Sequence, residues 1–568
     1  MYMDFKVKTP DIKSKIFSKT IKGVTYVNYE YDRVYKPDKK YNIPKRTTIG
    51  KICEDDNEMM YPNANYIKYF PDAELPVIPN SAKRSSCLRI GASLLVRKVI
   101  EDYKLDAIVE SIIGRDAGLF IDLVSYSIIT ENNAGQYYPD YAYNHPLSSN
   151  GMRIYSDAKV SDFLNGITHG QSAEFLNEWN GSRDRSEHIY ISYDSTNKAC
   201  QAGDIEIAEF GNPKDGHNKP VFNYAVAYDH NNREPLFYEE YPGSIVDVSQ
   251  LQFMLEKAAG YGYRKAGFIL DRGYFSKENI LYMDKKGYGF VIMAKGMKPL
   301  VSKLILGNKG TFEESRPHSI RGYGVNGMTV KSGLFPSDEK ERYFHIYYSS
   351  RKHAFEREDV EAKVDRISKY LKKQEGKQVK IEKSLGYYFD LFYYHKGMPD
   401  EKFLFGKEKE GVTEDEIGLC GYFAIITSME MTAAEALALY KSRDGSEKLF
   451  RGDKSYLGNK SLRVQSDESF GAKVFIEFVA LIVRNKIYTC LKDEMIENDM
   501  KQNYMTVPAA LKELEKIEMV RLLDNIYRLD HAVTATQKSI LKAFGLDASF
   551  IIDKASAISK QLAEHKTG

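Results

Sequence analysis

The chain has 568 residues, which is too long for one simple core, so we expect a central domain of catalytic size with additions. Hydrophobic residues make up 43% and charged residues 28%, which is ordinary for a globular protein and excludes a disordered chain. The formal net charge of +2 does not by itself indicate a nucleic-acid-binding protein.

Two features argue against secretion and against membrane insertion. The amino-terminal sequence MYMDFKVKTPDIKSK has no apolar run, so no signal peptide is expected. The most apolar segment, VFIEFVALIV from Val474, is too short to cross a bilayer and contains Glu477. The cysteines are scattered and have no zinc-site spacing, which suits a reducing compartment: Cys53, Cys87, Cys200, Cys420 and Cys490. We therefore expect a cytoplasmic protein without a membrane partner.

Residues 1–81 are predicted to form a basic, β-rich arm. The run GVTYVNYEYDRVY alternates apolar and polar residues as a strand does. From Met1 to Lys51 there are thirteen Lys and Arg against five Asp and Glu, a net charge of +8. Such an arm could follow a phosphate backbone, and charge alone supports a merely solvated segment about equally. Residues 82–185 show helical periodicity, and we assign DNA binding and dimerisation to this region.

Residues 186–295 alternate strands and helices. HIYISYDST is predicted as a strand with Asp194 at its end, and PVFNYAVAYDHNNREPLFYEEYPGS as a hairpin. AGFILDRGY is a short buried strand that runs into Asp271, followed by the capped helix SKENILYMDKKG and the strand YGFVIMAK.

The pattern breaks over residues 296–416, which are too long for a loop and are predicted to form a β-rich inserted subdomain. Residues 417–490 resume it with the strand GLCGYFAIITS, a helix with a capping box from Thr432 to Glu435, and a buried helix. Residues 491–568 are predicted to be helical.

The stretch YKSRDGSEKLFRGDKSYL places charged and aromatic residues at helical spacing. If the stretch is helical, one stripe carries Tyr440, Arg443, Glu447, Arg451 and Lys454. A surface ladder of ion pairs explains such a stripe and is the better explanation of the stripe alone. The glycines at 445 and 452 argue against it, because each costs about 1 kcal/mol in a helix unless something must approach closely.

Two aspartates provide possible partners for Glu447. Asp194 and Asp271 are both predicted at the carboxyl ends of apolar strands, where α/β sheets bind ligands. Each alone could be a helix or turn cap. Together with Glu447 they fit a site for two Mg²⁺ or Mn²⁺ ions, which prefer carboxylate oxygens.

These residues carry a resemblance to a known family. The spacing Y-x-x-R-x-x-x-E-x(6)-K at Tyr440, Arg443, Glu447 and Lys454 resembles the signature of the YREK class of bacterial insertion-sequence DDE transposases. YDST resembles the block around the first catalytic aspartate, and LDRGYFSKENI the block around the second. The similarity continues through GYGFVIMAKG and AKVFIEFVALIVRNKIY into the carboxyl-terminal region.

The resemblance implies an α/β fold with a ribonuclease H-like catalytic core, interrupted by the β-rich insertion. It also implies that Asp194, Asp271 and Glu447 are catalytic and hold two Mg²⁺ or Mn²⁺ ions. The residues that would bind DNA are Tyr440, Arg443 and Lys454, which the resemblance implies, and Arg451 and Arg272, which lie beside them and could add phosphate contacts.

The implied function is cut-and-paste transposition. Water first hydrolyses the phosphodiester at each element end, and the freed 3′-OH then attacks target DNA by transesterification. The partners would be the terminal inverted repeats, the target DNA and a second copy of the chain, in the nucleoid-associated cytoplasm. Two alternatives remain open: a metal-dependent nuclease or domesticated descendant that does not join, and a catalytically inactive DNA-binding protein. The presence of all three carboxylates disfavours the last.

Overall fold

A computed structural model describes most of the chain. The described residues are 2–3, 5–38, 40–75, 84–183, 188–200, 205–210, 219–245, 247–294, 298–335, 338, 340–458, 461–464, 466–501, 504–521 and 526–564.

The strands, in chain order, are β1 (Val7–Lys8), β2 (Ile16–Ile21), β3 (Val24–Lys36), β4 (Tyr41–Ile52), β5 (Met59–Pro62), β6 (Cys87–Arg89), β7 (Ile189–Cys200), β8 (Val221–Asp229), β9 (Glu234–Pro242), β10 (Ala266–Leu270), β11 (Gly289–Met293), β12 (Ser319–Ile320), β13 (Val325–Gly333), β14 (Glu341–Tyr348), β15 (Phe389–Tyr394), β16 (Lys402–Glu408), β17 (Tyr422–Thr427), β18 (Ser461–Leu462), β19 (Glu518–Arg521) and β20 (Tyr527–Leu529).

The α-helices are α1 (Ala64–Tyr69), α2 (Gly91–Asp102), α3 (Leu105–Ile113), α4 (Ala117–Thr130), α5 (Tyr138–Asn144), α6 (Asp157–Gly166), α7 (His169–Gly181), α8 (Asp247–Gly260), α9 (Lys277–Lys286), α10 (Lys298–Asn308), α11 (Ser350–Gln374), α12 (Val412–Ile417), α13 (Ala433–Ser442), α14 (Asp444–Tyr456), α15 (Asp467–Glu497), α16 (Val507–Leu514), α17 (Ala535–Lys542) and α18 (Ala548–Glu564).

The chain divides into two units. The first comprises Met1–Phe175 and Gly452–Gly568, and the second comprises Leu176–Arg451. Of the helices in the described parts of the chain, none has both the length and the apolar character that crossing a membrane requires.

The first unit combines an antiparallel sheet with a set of helices. The sheet has the strand order β1-β5-β4-β3-β2 and a small core that includes Val27, Ile49 and Met60. Helix α15 is buried along most of its length, and its Phe475 ring lies 4.7 Å from that of Phe120 in α4. A second sheet in this unit has three strands in the order β20-β19-β6.

The second unit is built on a large mixed sheet with the order β12-β13-β14-β17-β11-β10-β7-β8-β9. Strand β10 pairs in parallel with β7 on one side and β11 on the other, whereas β8 and β9 continue the sheet from β7 in antiparallel fashion. The strands β8 and β9 confirm the predicted hairpin. Ser276 caps α9 and Thr432 forms a capping box with Glu435 at the start of α13, as the sequence predicts.

The interval 296–416 contributes to the large sheet and also forms a cluster of its own. Strands β13 and β14 extend the large sheet through pairing of β14 with β17. Helix α11 packs on the hairpin β15–β16 around a separate core that includes Val364, Leu371 and Phe403. The proposed domain boundaries remain a prediction, but these two strands are integral to the sheet.

Candidate active site

Sheet register brings Asp194 and Asp271 next to each other. The parallel pairing of β7 with β10 runs up to Tyr193 opposite Leu270, and Asp194 and Asp271 directly follow these two residues in sequence. The carboxylates of both aspartates accept hydrogen bonds from the following backbone N–H groups, at 2.9 Å from Ser195 and 2.8 Å from Arg272. The two side chains therefore emerge at the point where the parallel pairing stops.

The expectation that β7 ends at Asp194 is wrong. The strand continues to Cys200 because its antiparallel partner β8 keeps pairing with it as far as Ala199 opposite Val221. Asp194 thus lies within a strand whose parallel pairing with β10 ends at Tyr193, while its antiparallel pairing with β8 continues past the aspartate.

An aromatic pair supports the two aspartates from within the protein. Tyr193 and Tyr274 are fully or almost fully buried, and their ring centroids are 5.6 Å apart. The Tyr193 hydroxyl donates to a carboxylate oxygen of Glu239 at 3.0 Å, and the Lys257 ammonium lies 3.7 Å from the other oxygen. Since Tyr193 precedes Asp194 and Tyr274 follows Asp271 by three residues, this pair fixes the two strand ends relative to each other.

The stretch 440–457 forms two helices that meet at Arg443. Helix α13 ends at Ser442, Arg443 is its C-cap, and α14 begins at Asp444. Tyr440 is 7% exposed and packs in a core with Leu437 of the same helix and with residues of the sheet. Its ring also lies 5.5 Å from the Arg443 guanidinium carbon, so Tyr440 positions the arginine.

Helix α14 lies close to β8 because one of its residues has no side chain. A Cβ atom at Gly445 would lie 3.2 Å from Cε1 of Tyr228, which is tight for an ordinary contact. Further along the helix, the Phe450 ring meets that of Tyr224 with centroids 6.4 Å apart. The close approach that the glycine suggested is therefore made by the protein's own tyrosine. In the first unit, a Cβ at Gly452 would lie 2.6 Å from Arg484.

The Arg443 guanidinium joins two of the predicted catalytic carboxylates. Its Nη1 atom lies 2.9 Å from Oδ1 of Asp271, and its Nη2 atom donates to Oε1 of Glu447 at 2.9 Å. The Arg443 side chain is 17% exposed, against 39% for Asp271 and 55% for Glu447. The partly buried guanidinium thus holds together two acids that are 176 residues apart in sequence.

Electrostatics place Asp194 in the same cluster. Burial acts to lower the pKa of Arg443, yet neighbouring groups outweigh this effect and the pKa lies above its usual value. The groups that raise it, in decreasing order, are Asp271, Tyr440, Asp194 and Glu447. All three predicted catalytic acids therefore act on one cation.

The chemistry of these donors fits a hard divalent cation, because carboxylate oxygens are the ligands that Mg²⁺ and Mn²⁺ prefer. In the described part of the chain no group of three or more His, Cys, Asp and Glu side chains is close enough to hold a metal ion. The acids instead converge on the guanidinium of Arg443.

The remaining predicted DNA-binding residues differ in exposure. Arg272 and Arg451 are exposed, and Lys454 is partly buried on α14. Arg272 is close enough to Tyr440 to lower its pKa, although burial is the larger effect and leaves that pKa raised.

Sequence comparison then decides the family. Residues 191–483, more than half of the chain, match the family model described as "Transposase DDE domain". The chain belongs to this family. The matched segment includes Asp194, Asp271 and Glu447. A search of curated proteins finds no match.

Among solved structures, the protein is similar to a piggyBac transposase in a cryo-EM synaptic complex with hairpin DNA. The identity is 8%, the alignment covers 82% of each chain, and the TM-score is 0.34, a level at which the likeness carries no further weight.

Several supporting residues were not predicted from the sequence. Tyr193, Tyr274, Glu239 and Tyr228 hold the acids or the helix that carries Glu447. A signal was available for the first two, because each lies in a motif beside a predicted catalytic aspartate (YDST and LDRGY). Glu239 and Tyr228 have no such signal, since only the pairing of β7, β8 and β9 brings them near.

Proposed function

We propose that the protein is a cut-and-paste DNA transposase of an insertion sequence, of the YREK-signature class. The observation that carries the proposal is the Arg443 guanidinium, which binds Asp271 and Glu447 at 2.9 Å each beside Asp194 on the adjacent strand. Three acids that converge on a cationic group where two parallel strands stop pairing suit chemistry on a phosphodiester.

We further propose that the strands β9-β8-β7-β10-β11 form a ribonuclease H-like core. What supports this is their order, with three antiparallel strands followed by two parallel ones. Asp194 also lies on the central strand β7, and Asp271 directly follows its neighbour β10.

Asp194, Asp271 and Glu447 would hold two Mg²⁺ or Mn²⁺ ions. Bound there, the ions would activate the attacking oxygen and stabilise the charge on the leaving oxygen of the phosphodiester. Carboxylates from two neighbouring strands and one helix supply the oxygen donors, and the aromatic pair Tyr193–Tyr274 keeps the strand ends in place.

Arg443 would have two successive partners. Without DNA it neutralises the carboxylates, and its planar fork is equally suited to a phosphate of the cleaved strand. Tyr440 keeps the guanidinium at the edge of the site, and Arg272, Arg451 and Lys454 would contact neighbouring phosphates. Because two element ends must be held together for transposition, two copies of the chain would assemble on them.

The test is a cleavage and strand-transfer assay with a duplex carrying the ends of the element that encodes the protein, in Mg²⁺ buffer. We expect free 3′-OH ends followed by joined products, both abolished by a chelator. Nicks or breaks without joined product would instead indicate a nuclease that does not join. Absence of any cleavage with the correct end DNA would contradict the proposal.

A further inference from the structure

Beyond the site, the hairpin of β3 and β4 extends outside its sheet. The two strands pair from Tyr26 opposite Lys51 out to Lys36 opposite Tyr41. Strand β2 pairs with β3 only between Val24 and Tyr29, and β5 pairs with β4 only between Gly50 and Ile52. Beyond these points, no described strand flanks the hairpin on either edge. We call the segment Glu30–Arg46 the distal ribbon.

The base of the distal ribbon is fixed by a buried carboxylate. Glu30 is 3% exposed and accepts a hydrogen bond at 2.6 Å from Nε of Arg33 and another at 3.1 Å from Nε of Arg46, one from each strand. Next to it, the Tyr31 ring stacks on that of Tyr69 with centroids 5.1 Å apart. The ribbon therefore leaves the sheet in a defined direction, which favours binding because less order must be imposed on contact.

Beyond its base the ribbon is exposed and basic. Tyr35 and Tyr41 are 57% and 55% exposed, and Val34 is 37% exposed. Among the described residues of the ribbon, the exposed cationic side chains are those of Arg33, Lys36, Lys40, Lys45 and Arg46, against the exposed acids Asp32 and Asp38. Arg33 and Arg46 pair with Glu30 and Lys45 pairs with Asp32, so the lysines near the turn are the ones the proposal relies on. A two-stranded ribbon is marginally stable in water without a packed face, so large exposed aromatic side chains on one indicate a partner surface.

The edges of the ribbon argue against a further strand as that partner. Pro44 lacks the N–H group that edge pairing needs, and lysines flank the turn, both of which oppose strand addition. Positive charge with exposed aromatic and amide groups instead complements duplex DNA. The major groove, about 12 Å wide, accepts a two-stranded ribbon, with lysines reaching the phosphates on either side.

We propose that the distal ribbon inserts into a groove of duplex DNA and supplies a large share of its binding energy. This rests on the proposed function for the identity of the partner, but it assigns binding to a surface that is separate in sequence from the carboxylate site. Opposite residues of an antiparallel pair lie on one face, so Tyr35 with Asn42 forms one face and Val34 with Ile43 the other.

The test compares a ribbon deletion with a charge-matched control. In the deletion, an Asn-Gly turn replaces residues 34–43, which removes a net charge of +2 and keeps Glu30, Arg33 and Arg46. The control is Lys512→Gln with Lys538→Gln, two exposed lysines on α16 and α17, which removes the same net charge. Binding to a 40-base-pair duplex is measured by fluorescence anisotropy across a salt titration.

We expect the deletion to weaken binding by about tenfold or more and to reduce the slope of log K against log salt by about 2, since two to three phosphate contacts are lost. The control should remain within about twofold of the wild type. If the deletion does not fold, Lys36→Gln with Lys40→Gln is expected to act in the same direction, by about fivefold.

An unchanged affinity and slope in the ribbon variants would overturn the ribbon proposal and leave the proposed function intact. A wild-type protein that binds no duplex would overturn both. Light scattering measures the molar mass and tests whether a second copy of the chain is the partner instead. A ribbon deletion that converts a dimer to a monomer without changing DNA affinity would identify that second copy as the partner and overturn the proposal.

Discussion

The carboxylate site and the distal ribbon are held in opposite ways. At the site, Asp271 and Glu447 are joined by one guanidinium, and Asp194 is fixed by sheet register. The ribbon is fixed at its base, through Glu30 and the stack of Tyr31 on Tyr69, and beyond it no described strand pairs with either edge. The proposed chemistry on a phosphodiester requires carboxylates held at fixed positions. The proposed contact with DNA is compatible with a ribbon that is held only at its base. Each region can therefore be perturbed with a different expected readout.

The largest effect is expected from Glu447→Gln. Loss of this carboxylate should reduce cleavage by about three orders of magnitude, because the oxygen donors of a two-metal site act as a unit. DNA affinity should change little, in contrast to the ribbon deletion. Asp444→Asn, an exposed acid three residues earlier on α14, is the matched control. Retained cleavage by Glu447→Gln in Mg²⁺ buffer would refute the catalytic assignment.

A smaller loss of cleavage is expected when α14 is pushed away from β8. In Gly445→Val the added methyl groups collide with Tyr228, since even a Cβ would lie 3.2 Å from it. Overpacking of this kind costs about 1–3 kcal/mol and displaces Glu447, so we expect cleavage to fall roughly thirtyfold with DNA affinity unchanged. Gly471→Val on α15, where a Cβ meets nothing within 4 Å, controls for the helical cost of valine. Equal activity of the two variants would show that the close approach does not position Glu447.

The large sheet should also respond to acid. His345 is fully buried between Thr329 and Thr427, at 2.9 Å from each hydroxyl oxygen, and burial lowers its pKa to about 4. The Thr427 hydroxyl donates to Met429 O, so the His345 Nε2 atom is the donor towards Thr427. With its pKa lowered to about 4 by burial, the ring is neutral at pH 7.

Because the folded pKa of His345 is depressed below its unfolded value of about 6.5, the unfolded chain binds an extra proton between these values. The contribution of neutral His345 to the free energy of unfolding is therefore fully present above about pH 6.5. It decreases as the pH falls, by about 2 kcal/mol at pH 5. Urea unfolding at pH 7.5 and pH 5 measures this, and His345→Gln should remove that part of the pH dependence. The ribbon deletion should show the same pH dependence of unfolding as the wild type. A deletion that lost this pH dependence would show that the ribbon and the large sheet do not respond independently.

The smallest effect is expected from Arg443→Ala. DNA affinity should fall by about fivefold with a decrease of about 1 in the salt slope, half the change expected of the ribbon deletion, because one phosphate contact is lost. In the absence of DNA, Mn²⁺ should bind more tightly, since the guanidinium no longer competes for Asp271 and Glu447. The control Arg451→Ala should reduce DNA affinity similarly without strengthening Mn²⁺ binding. If Arg443→Ala instead bound Mn²⁺ more weakly, this would contradict the proposal that Arg443 moves from the carboxylates to a phosphate when DNA binds.

Local sequence determined a large part of this protein. The hairpin β8–β9, the capped helix α9 and the capping box at Thr432 and Glu435 follow from alternation, turn residues and cap chemistry, which depend on neighbours a few residues apart. The spaced motif at 440–454 and the two aspartate blocks led to the DDE transposase family for the same reason, since each motif is short and self-contained.

Tertiary structure alone decided what holds these parts together. The continuation of β7 past Asp194, the entry of β13 and β14 into the large sheet and the ion pairs of Arg443 all depend on partners far away in sequence. The same holds for the distal ribbon. Alternating apolar and polar residues predicted its strands, but only the strand pairing shows where β2 and β5 stop flanking them. Pairing register and side-chain packing are set by the whole fold, so no local pattern could have fixed them.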